Sequence, residues 1–552
     1  MRRLTPTILL LGALLLGACS RKETRVDRAT RDKILLYANG SEPADLDPHL
    51  VSGDPENKVL TSLIEGLIAY HPNDDYQPEP GVAESWEMKD LGKTWIFNLR
   101  KNAKWSNGDP VTAHDFVWSH KRALSPALAG DFAPMLFILE NAEAFNKEEI
   151  TDFTKVGVKA IDDHTIEYTL TGPTPYFVSM LKHYSFWPVH KASVLAMGKI
   201  DDRATGWTRP GKMVSNGPFV LDEWKFKNVI KVKKNPHYWD VDTVKLNAIH
   251  FFPVENVTTE ERMFRDGQVH VTKETALDKI PWYRENRPDL IHLEPWLCVY
   301  YYVVNTTKPP FDNRGVRRAL SLAINREAIT KNITRAGEIP AYGYVPPPPG
   351  ETGYKPPDVL SFNPEAARKE LADAGYPDGK GFPRVKLLFN THESHRTIAE
   401  AVQEMWKKHL NIDIELNNQT WQVYLDSIRD KNYDVARRGW IGDYMDPITF
   451  LIIMQEDDPN NGTGYANPEY DKLLKASGQE VDPEKRFAIL KEAERLMLED
   501  APIIPFYWYV SKHLVHPDVK GWSPKLLDNY NYKYLDVEPS NTTLPRDMKY
   551  VA

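Results

Sequence analysis

Two arginines, a tryptophan and two carboxylates are concentrated in residues 435–450, VARRGWIGDYMDPITF. The stretch begins like a β-strand, is interrupted at Gly442 and Pro447, and continues into an apolar run. Charged and aromatic side chains where a strand ends are typical of a binding site beside a cleft. A plainer interpretation is also open, in which the arginines are a solvated pair and Asp443 is a turn residue.

Patterns that would indicate catalysis are weak elsewhere in the chain. His392 and His395 are three residues apart, whereas the zinc motif H-E-x-x-H places its histidines four apart. Residues 206–213, GWTRPGKM, resemble a phosphate-binding loop but contain a proline and lack the Ser or Thr that holds magnesium. We therefore predict that the protein is not an enzyme and has neither a cofactor nor a metal site.

The N-terminus carries the features of a secretory signal. Two arginines precede the apolar residues 8–16, and small residues follow just before Cys19. A cysteine at this position resembles a bacterial lipobox, so we predict a signal peptide over residues 1–18 and a lipid on Cys19. The polar residues 19–32 are then a flexible tether. A short membrane anchor is the alternative, although the apolar run is shorter than a membrane span requires.

Length, charge and cysteine content bear on the number of domains, on nucleic-acid binding and on disulfide bonds. With 552 residues the chain exceeds one hydrophobic core, so we expect two or three domains. A net charge of −8 without a long basic run argues against nucleic acid as a partner. Besides Cys19 the chain has only Cys298, which lies in an apolar run and is predicted to be a buried thiol without a disulfide.

The elements that would position residues 435–450 follow an α/β pattern. We predict strands at 385–389 and 412–416 around an amphipathic helix over 397–410, which is a βαβ unit. A further helix with Trp421, Leu425 and Ile428 on one face follows, and then a strand over 435–440. A further strand is predicted at 506–510. Residues from about 300 to 510 therefore form an α/β lobe in which the charged stretch starts at a strand end.

Several separated motifs resemble one protein family. They are AESW at 83–86, TWIFNLR at 94–100, KWSNGD at 104–109, TAHDF at 112–116, SNGPF at 215–219, KKNPHYW at 233–239, FDN at 311–313, VRRAL at 316–320 and INR at 324–326. Together they resemble the family 5 extracellular solute-binding proteins, the peptide and nickel receptors of ABC importers. The resemblance extends from about residue 33 to about residue 540.

This resemblance implies a fold and a function. The fold is a two-lobe α/β periplasmic-binding-protein fold with a hinge, and with an extra domain inserted in the first lobe. The implied boundaries are 33–70, 195–294 and 511–545 for lobe I, 71–194 for extra domain II and 295–510 for lobe III. The implied protein is a monomeric, extracytoplasmic lipoprotein that captures short oligopeptides for an ABC permease. Dipeptides, murein peptides or a metal chelate are alternative ligands, and a lipid-anchored enzyme or chaperone acting on peptides is an alternative function.

The resemblance also implies the ligand contacts. Asp443 would hold the ligand amine, whereas Arg437 and His395 would hold its carboxylate. The remaining predicted contacts are stacking by Trp421 and Trp440, backbone pairing by Gly439, Trp440 and Ile441, and an opposite wall of Ser52, Gly53 and Asp54. Three alternatives stay open. His395 could be a surface residue, the two tryptophans could be core residues, and a lysine near Lys331 could also bind the ligand carboxylate.

Overall fold

The computed structural model describes residues 23–174, 176–348, 353–540 and 544. The predicted signal peptide, residues 1–18, and the predicted lipidation at Cys19 lie outside these residues. Within the described part of the chain, no helix is long and apolar enough to cross a membrane.

Eighteen strands are described. They are β1 Ile34–Ala38, β2 Ile68–Tyr70, β3 Pro78–Pro80, β4 Ala83–Lys89, β5 Thr94–Leu99, β6 Val158–Asp162, β7 Thr165–Thr169, β8 Phe219–Lys225, β9 Val229–Lys234, β10 Ala248–Phe252, β11 Ile291–Val304, β12 Ile339–Pro340, β13 Val385–Asn390, β14 Ile414–Gln419, β15 Val435–Ile441, β16 Ile503–Leu514, β17 Val519–Lys520 and β18 Asp536–Val537.

Sixteen α-helices accompany these strands in the described residues. They are α1 Arg25–Arg31, α2 Asp54–Leu63, α3 Ala113–Ala123, α4 Ala142–Asn146, α5 Phe177–Met180, α6 Lys191–Leu195, α7 Val257–Arg265, α8 Ile280–Asn286, α9 Arg314–Leu322, α10 Arg326–Ile329, α11 Pro364–Asp373, α12 Glu393–Leu410, α13 Trp421–Arg429, α14 Ile448–Leu451, α15 Pro468–Ser477 and α16 Pro483–Asp500. Short 3₁₀ turns and a π-helical turn at Thr330–Thr334 connect some of them.

Three sheets organise the molecule. The first sheet has the order β1-β10-β9-β8, the second β4-β5-β7-β6 and the third β12-β16-β11-β15-β13-β14. The second sheet is antiparallel throughout. In the third sheet β13 and β14 are parallel and are connected by α12, which confirms the predicted βαβ unit.

Two long strands connect the first-sheet side of the molecule with the third sheet. β11 and β16 are antiparallel neighbours from the pair Ile291–Leu514 to the pair Val303–Ile503. Their register is irregular between Pro295 and Val299. In β11, residues 299–304 are buried on both faces, as expected of a central strand. The division into lobes near residues 295 and 510 stays a prediction.

The predicted tether is wrong for residues 25–31, which form α1. Thr24 caps this helix by accepting a hydrogen bond from the Asp27 amide at 3.0 Å. Val26 and Ala29 are buried against Phe264 and the residues around it, so the helix is part of the folded body. The charged residues that suggested disorder occupy the exposed face of the helix. Val26 and Ala29 are spaced to lie on one face, and their burial lets the segment fold as a helix.

Two element boundaries change the setting of site residues. α12 begins at Glu393, four residues earlier than predicted, so His395 lies inside its first turn and not ahead of the helix. The last predicted strand, 506–510, extends over Ile503–Leu514 and therefore brings Lys512 into the third sheet.

Candidate functional site

A cavity of about 280 Å³ lies where the third sheet meets the N-terminus of α2 and the second-sheet region. All of the predicted ligand-contacting residues line it, namely Ser52, Gly53, Asp54, His395, Trp421, Arg437, Gly439, Trp440, Ile441 and Asp443. The fold thus gathers residues that are up to about 390 positions apart in the chain (Asp443 minus Ser52 is 391). Their individual roles stay predictions.

One edge of β15 faces this cavity without a partner strand. β11 pairs with β15 along its whole length, from Val435 to Ile441. On the other side, within the described residues, β13 pairs with β15 at Val435 and Ala436 and no further. The edge from Arg437 to Ile441 is therefore open to an added strand.

The backbone of β15 shows which groups an added strand would meet. The Gly442 amide donates to the Leu297 carbonyl of β11 at 2.8 Å, whereas Tyr424 donates its hydroxyl to the Arg437 carbonyl from the opposite side. In an antiparallel strand, alternate residues direct their N–H and C=O groups to the same edge. Gly439 and Ile441 therefore present these groups to the cavity, as Arg437 does.

Asp443 lies at the end of the open edge. Its carboxylate accepts a hydrogen bond from the Thr449 hydroxyl at 3.0 Å and lies 3.5 Å from Nε2 of His183. Burial raises the pKa of Asp443 to about 8 and lowers the pKa of His183 to about 3. Within the described residues no lysine or arginine pairs with Asp443, so a ligand ammonium would supply its missing counter-charge.

Arg437 lies at the other end of the open edge. Its guanidinium donates to the Tyr509 hydroxyl at 2.7 Å and to Oδ1 of Asn390 at 3.3 Å, and it lies over the Tyr300 ring. Its Nε is buried without a hydrogen-bond partner among the described residues. All of its observed partners are neutral, so this end of the cavity suits a carboxylate.

His395 lies beside Arg437 and is uncharged. Its ring packs on the Tyr300 ring with 5.7 Å between centroids. Burial, together with the nearby Arg437, holds the pKa of His395 well below its usual range. A neutral imidazole can still donate one hydrogen bond to a carboxylate, and the ring is buried, which argues against a surface role.

The two predicted stacking residues differ in their setting. Trp440 is 8% exposed, and its indole N–H donates to the Thr449 carbonyl at 3.0 Å. Trp440 therefore packs in the core and also forms part of the cavity wall. Trp421 opens α13, stacks on Tyr424 and keeps its buried indole N–H without a partner among the described residues. Of the two, Trp421 is the more available to a ligand.

The opposite wall is held by a buried charge network. Asp54 opens α2 and lies 2.9 Å from the Lys273 ammonium, which also contacts Asp528 at 2.8 Å. Asp528 further pairs with Lys58 at 2.8 Å and with His513 at 2.8 Å. These bonds hold the N-terminus of α2, which directly follows Ser52 and Gly53, beside the cavity.

Sequence reasoning missed a second group of charged residues in the cavity lining. It comprises Glu274, His392 and Lys512. The H-E-S-H segment pointed to His392 only as part of a zinc motif. Lys512 was missed because the predicted strand ended at residue 510, before Lys512. Lys331 is exposed on the π-helical turn and does not line the cavity. Within the described residues no cluster of His, Cys, Asp and Glu is arranged to hold a metal ion.

Cys298 is a buried free thiol on β11, as predicted. It pairs with Ile441 across the sheet and lines the cavity. Burial raises the pKa of this thiol, so it is not a nucleophile at neutral pH.

Contacts across the cleft close the cavity in this structure. Phe132 packs on Trp440 with 6.2 Å between ring centroids. Tyr176 stacks on Tyr444, and the Met445 amide donates to the Ser179 hydroxyl at 3.3 Å. The second-sheet side and the third sheet therefore meet over the ligand cavity.

The chain matches the family described as bacterial extracellular solute-binding proteins, family 5 Middle, over residues 77–462. The match covers more than half of the chain. The protein therefore belongs to this family of solute-binding proteins, as the sequence motifs indicated.

Individual relatives agree with this assignment. The periplasmic oligopeptide-binding protein OppA of Escherichia coli (strain K12) is 37% identical over 505 residues, covering 90% of this chain and 91% of OppA. The solved structure of Haemophilus influenzae OppA in complex with RPPGFSPFR has a TM-score of 0.86 at 34% identity, covering 92% of this chain and 99% of that chain. This similarity confirms the predicted two-lobe α/β fold.

A third relative has been solved in two forms. The Escherichia coli murein tripeptide binding protein MppA matches with a TM-score of 0.86 at 34% identity, covering 92% of this chain and 99% of MppA. Its unliganded open form matches with a TM-score of only 0.63 at the same identity, covering 92% and 97%. The present structure is therefore more similar to the first of these MppA structures than to the unliganded open form.

Proposed function

We propose that the protein is an extracytoplasmic receptor that captures short oligopeptides and delivers them to the permease of an ABC importer. The observation that carries this proposal is the open edge of β15, which has an acidic side chain at one end and a basic side chain at the other. Asp443 lacks a cation and Arg437 lacks an anion among the described residues. An extended zwitterionic peptide supplies both charges and the backbone groups between them.

The length of the open edge favours a short ligand. At about 3.3 Å per residue, the six residue-to-residue steps between Arg437 and Asp443 span at most about 20 Å. Peptides of three to five residues are about 10–17 Å long when extended. Backbone pairing at Gly439 and Ile441 is independent of ligand side chains, so the receptor tolerates many sequences.

The relatives support a peptide ligand and offer one alternative. OppA of Haemophilus influenzae was solved with a peptide, whereas MppA is named for a murein tripeptide. Both ligand classes place an amine and a carboxylate at the ends of a short chain. A murein peptide is therefore the second candidate ligand.

We further propose that Cys19 is lipidated, that residues 1–18 are removed, and that the monomeric receptor is held at the outer surface of a membrane. The lipobox-like sequence supports this proposal. We also propose the domain boundaries that the family resemblance implies. Lobe I comprises residues 33–70, 195–294 and 511–545, domain II comprises 71–194 and lobe III comprises 295–510. The protein returns its ligand intact, because no activated nucleophile or metal cluster occurs among the described cavity residues.

Native mass spectrometry of the soluble form that begins after Cys19, purified without refolding, tests the proposal. We expect a ladder of adducts with the masses of mixed tri- to pentapeptides. One discrete adduct with the mass of a wall peptide would favour the murein alternative. If the purified protein carries no peptide adduct and binds none of the added synthetic peptides, the peptide assignment is overturned. Recovery of cleaved peptide would establish an enzyme instead.

A further inference from the structure

One of the protein's own carboxylates lies beside His392 and Lys512 near the carboxylate end of the cavity. Glu274 Oε2 is 3.0 Å from Nε2 of His392, and Glu274 Oε1 is 3.7 Å from the Lys512 ammonium. The Glu274 side chain is 26% exposed and lines the cavity. Burial opposes its ionisation, yet His392 and Lys512 hold the pKa of Glu274 below its usual range.

The contact crosses the cleft. Glu274 follows Val271, which bridges to Tyr37 of the first sheet, whereas His392 caps α12 beside the third sheet. Next to this pair, Glu393 accepts a hydrogen bond from the Thr258 hydroxyl at 2.9 Å. These contacts join the two sides of the cleft near this end of the cavity.

Lys512 is held by a second carboxylate from outside the cavity. Its ammonium lies 3.1 Å from Glu338 Oε1. Glu338 also accepts hydrogen bonds from the Thr334 hydroxyl at 2.7 Å and the Ala336 amide at 2.9 Å, and it does not line the cavity. The positive charge of Lys512 is therefore already balanced before a ligand arrives.

We propose that Glu274 is a specificity-determining residue that limits ligand length. Its carboxylate occupies the place beside His392 and Lys512 that the carboxylate of a longer peptide would need. The ligand carboxylate must therefore stop at Arg437, whose observed partners are neutral. A longer peptide would bring two carboxylates together in a small cavity, where like charges repel strongly. This inference rests on the proposed peptide function.

A length series of free and amidated alanine-rich peptides tests the role of Glu274. Titration calorimetry with the full soluble chain gives Kd for peptides of three to seven residues. In the wild type, we expect free-acid peptides to lose affinity beyond a length cut-off, whereas amides of the longer peptides bind about tenfold more tightly than their acids. Glu274→Gln should raise affinity for the longer acids about tenfold and leave their amides within about twofold.

Glu338→Gln is the matched control. It removes the other carboxylate that contacts Lys512, from a position outside the cavity. We expect it to change the affinity for short and long peptides by the same factor. Glu274→Asp keeps the charge and should keep the length cut-off.

Several results would overturn the inference. An unchanged length profile in Glu274→Gln, or an equal gain for acids and amides, would remove the proposed role of the carboxylate while the peptide function stands. If Glu274→Gln does not fold, the wild-type comparison decides, because equal affinity for long acids and long amides contradicts the proposal. Absence of binding to every peptide by the wild type would overturn the peptide function itself.

Discussion

Asp443 and His183 form a neutral pair across the cleft, with 3.5 Å between Oδ1 and Nε2. Burial raises the pKa of Asp443 to about 8 and lowers that of His183 to about 3, so the carboxyl group is protonated and the imidazole is unprotonated at neutral pH. The carboxyl group that we predict to meet a ligand ammonium ion is thus neutral in this structure. Ligand binding should restore its charge.

Asp443→Asn should separate binding from stability. The amide cannot pair with an ammonium ion, so affinity for peptides with a free amine should fall at least about tenfold, while N-acetylated peptides lose much less. Removal of a buried carboxyl group should raise the Tm of the ligand-free protein. Titration calorimetry and thermal unfolding measure the two effects, and a lower Tm together with unchanged affinity would contradict this role.

The same carboxyl group predicts how stability varies with pH. Its folded pKa of about 8 exceeds the value of about 3.9 expected for the unfolded chain, so folding is disfavoured progressively as pH rises from about 4 to about 8. The difference in Tm between Asp443→Asn and the wild type should therefore be small near pH 4 and largest near pH 8. A difference that is constant over this range would show that the pKa of Asp443 is not raised in the folded protein.

Peptide binding should release a proton from Asp443. Below pH 8 the empty site is largely protonated, whereas the bound ammonium favours the carboxylate. Affinity should therefore increase from pH 5.5 towards about 7.5 and decrease when the ligand amine, with a pKa of about 8, loses its own proton. Calorimetry at pH 6.5 in two buffers of different ionisation enthalpy measures the release, and Asp443→Asn is the control that should release none.

Arg437→Met should abolish the preference for a free carboxylate. The wild type should bind a peptide acid at least about tenfold more tightly than its C-terminal amide, and the variant should bind both with similar affinity. Arg438→Met is a matched control, because Arg438 donates to the Asn460 carbonyl at 2.7 Å and its backbone points to β11. Retention of acid selectivity by Arg437→Met would assign the carboxylate to other residues.

Ile441→Pro tests pairing of the ligand with β15. The Ile441 amide points to the open edge, so proline removes a donor to the ligand without removing a bond to β11. Affinity should fall about tenfold for acids, amides and acetylated peptides alike. Ile441→Ala removes the side chain but keeps the amide, and a similar loss in that variant would instead indicate a side-chain contact.

Val26→Ala tests the packing of α1. Val26 is 1% exposed, so the substitution should cost about 2 kcal/mol of folding stability and lower Tm, without a change in peptide affinity. Arg28→Ala lies on the exposed face of the same helix and should leave Tm nearly unchanged. Equal Tm values for both variants and the wild type would mean that the helix does not stabilise the body.

The order of elements around the site was predictable because local signals agree with one another. Asn363 is a favourable helix cap and Pro364 a favourable first helical residue, and α11 begins at those positions. The strand at Val435 and the helix at Trp421 likewise follow from alternation and from helical spacing. Short-range patterns such as these determine where an element begins.

Partners that are distant in the chain were not predictable. Nothing near Lys512 indicates that its ammonium meets Glu338 and Glu274, because that contact depends on how β16 lies beside β11 and on closure of the cleft. The open edge of β15 also depends on where β13 stops pairing. Such features follow from sheet order and register, which the sequence specifies only through the whole fold.

The packing of α1 has a consequence for how the receptor meets its membrane. If Cys19 carries lipid as proposed, only four residues separate the anchor from Thr24, and the five residue-to-residue steps between them reach at most about 18 Å. The folded body is then confined to a thin layer above the bilayer and can rotate only within a narrow range of orientations. With so short a tether, the proposed receptor would search for its permease only within the plane of the membrane. The first-sheet side of the molecule, against which α1 packs, would lie nearest to the lipid.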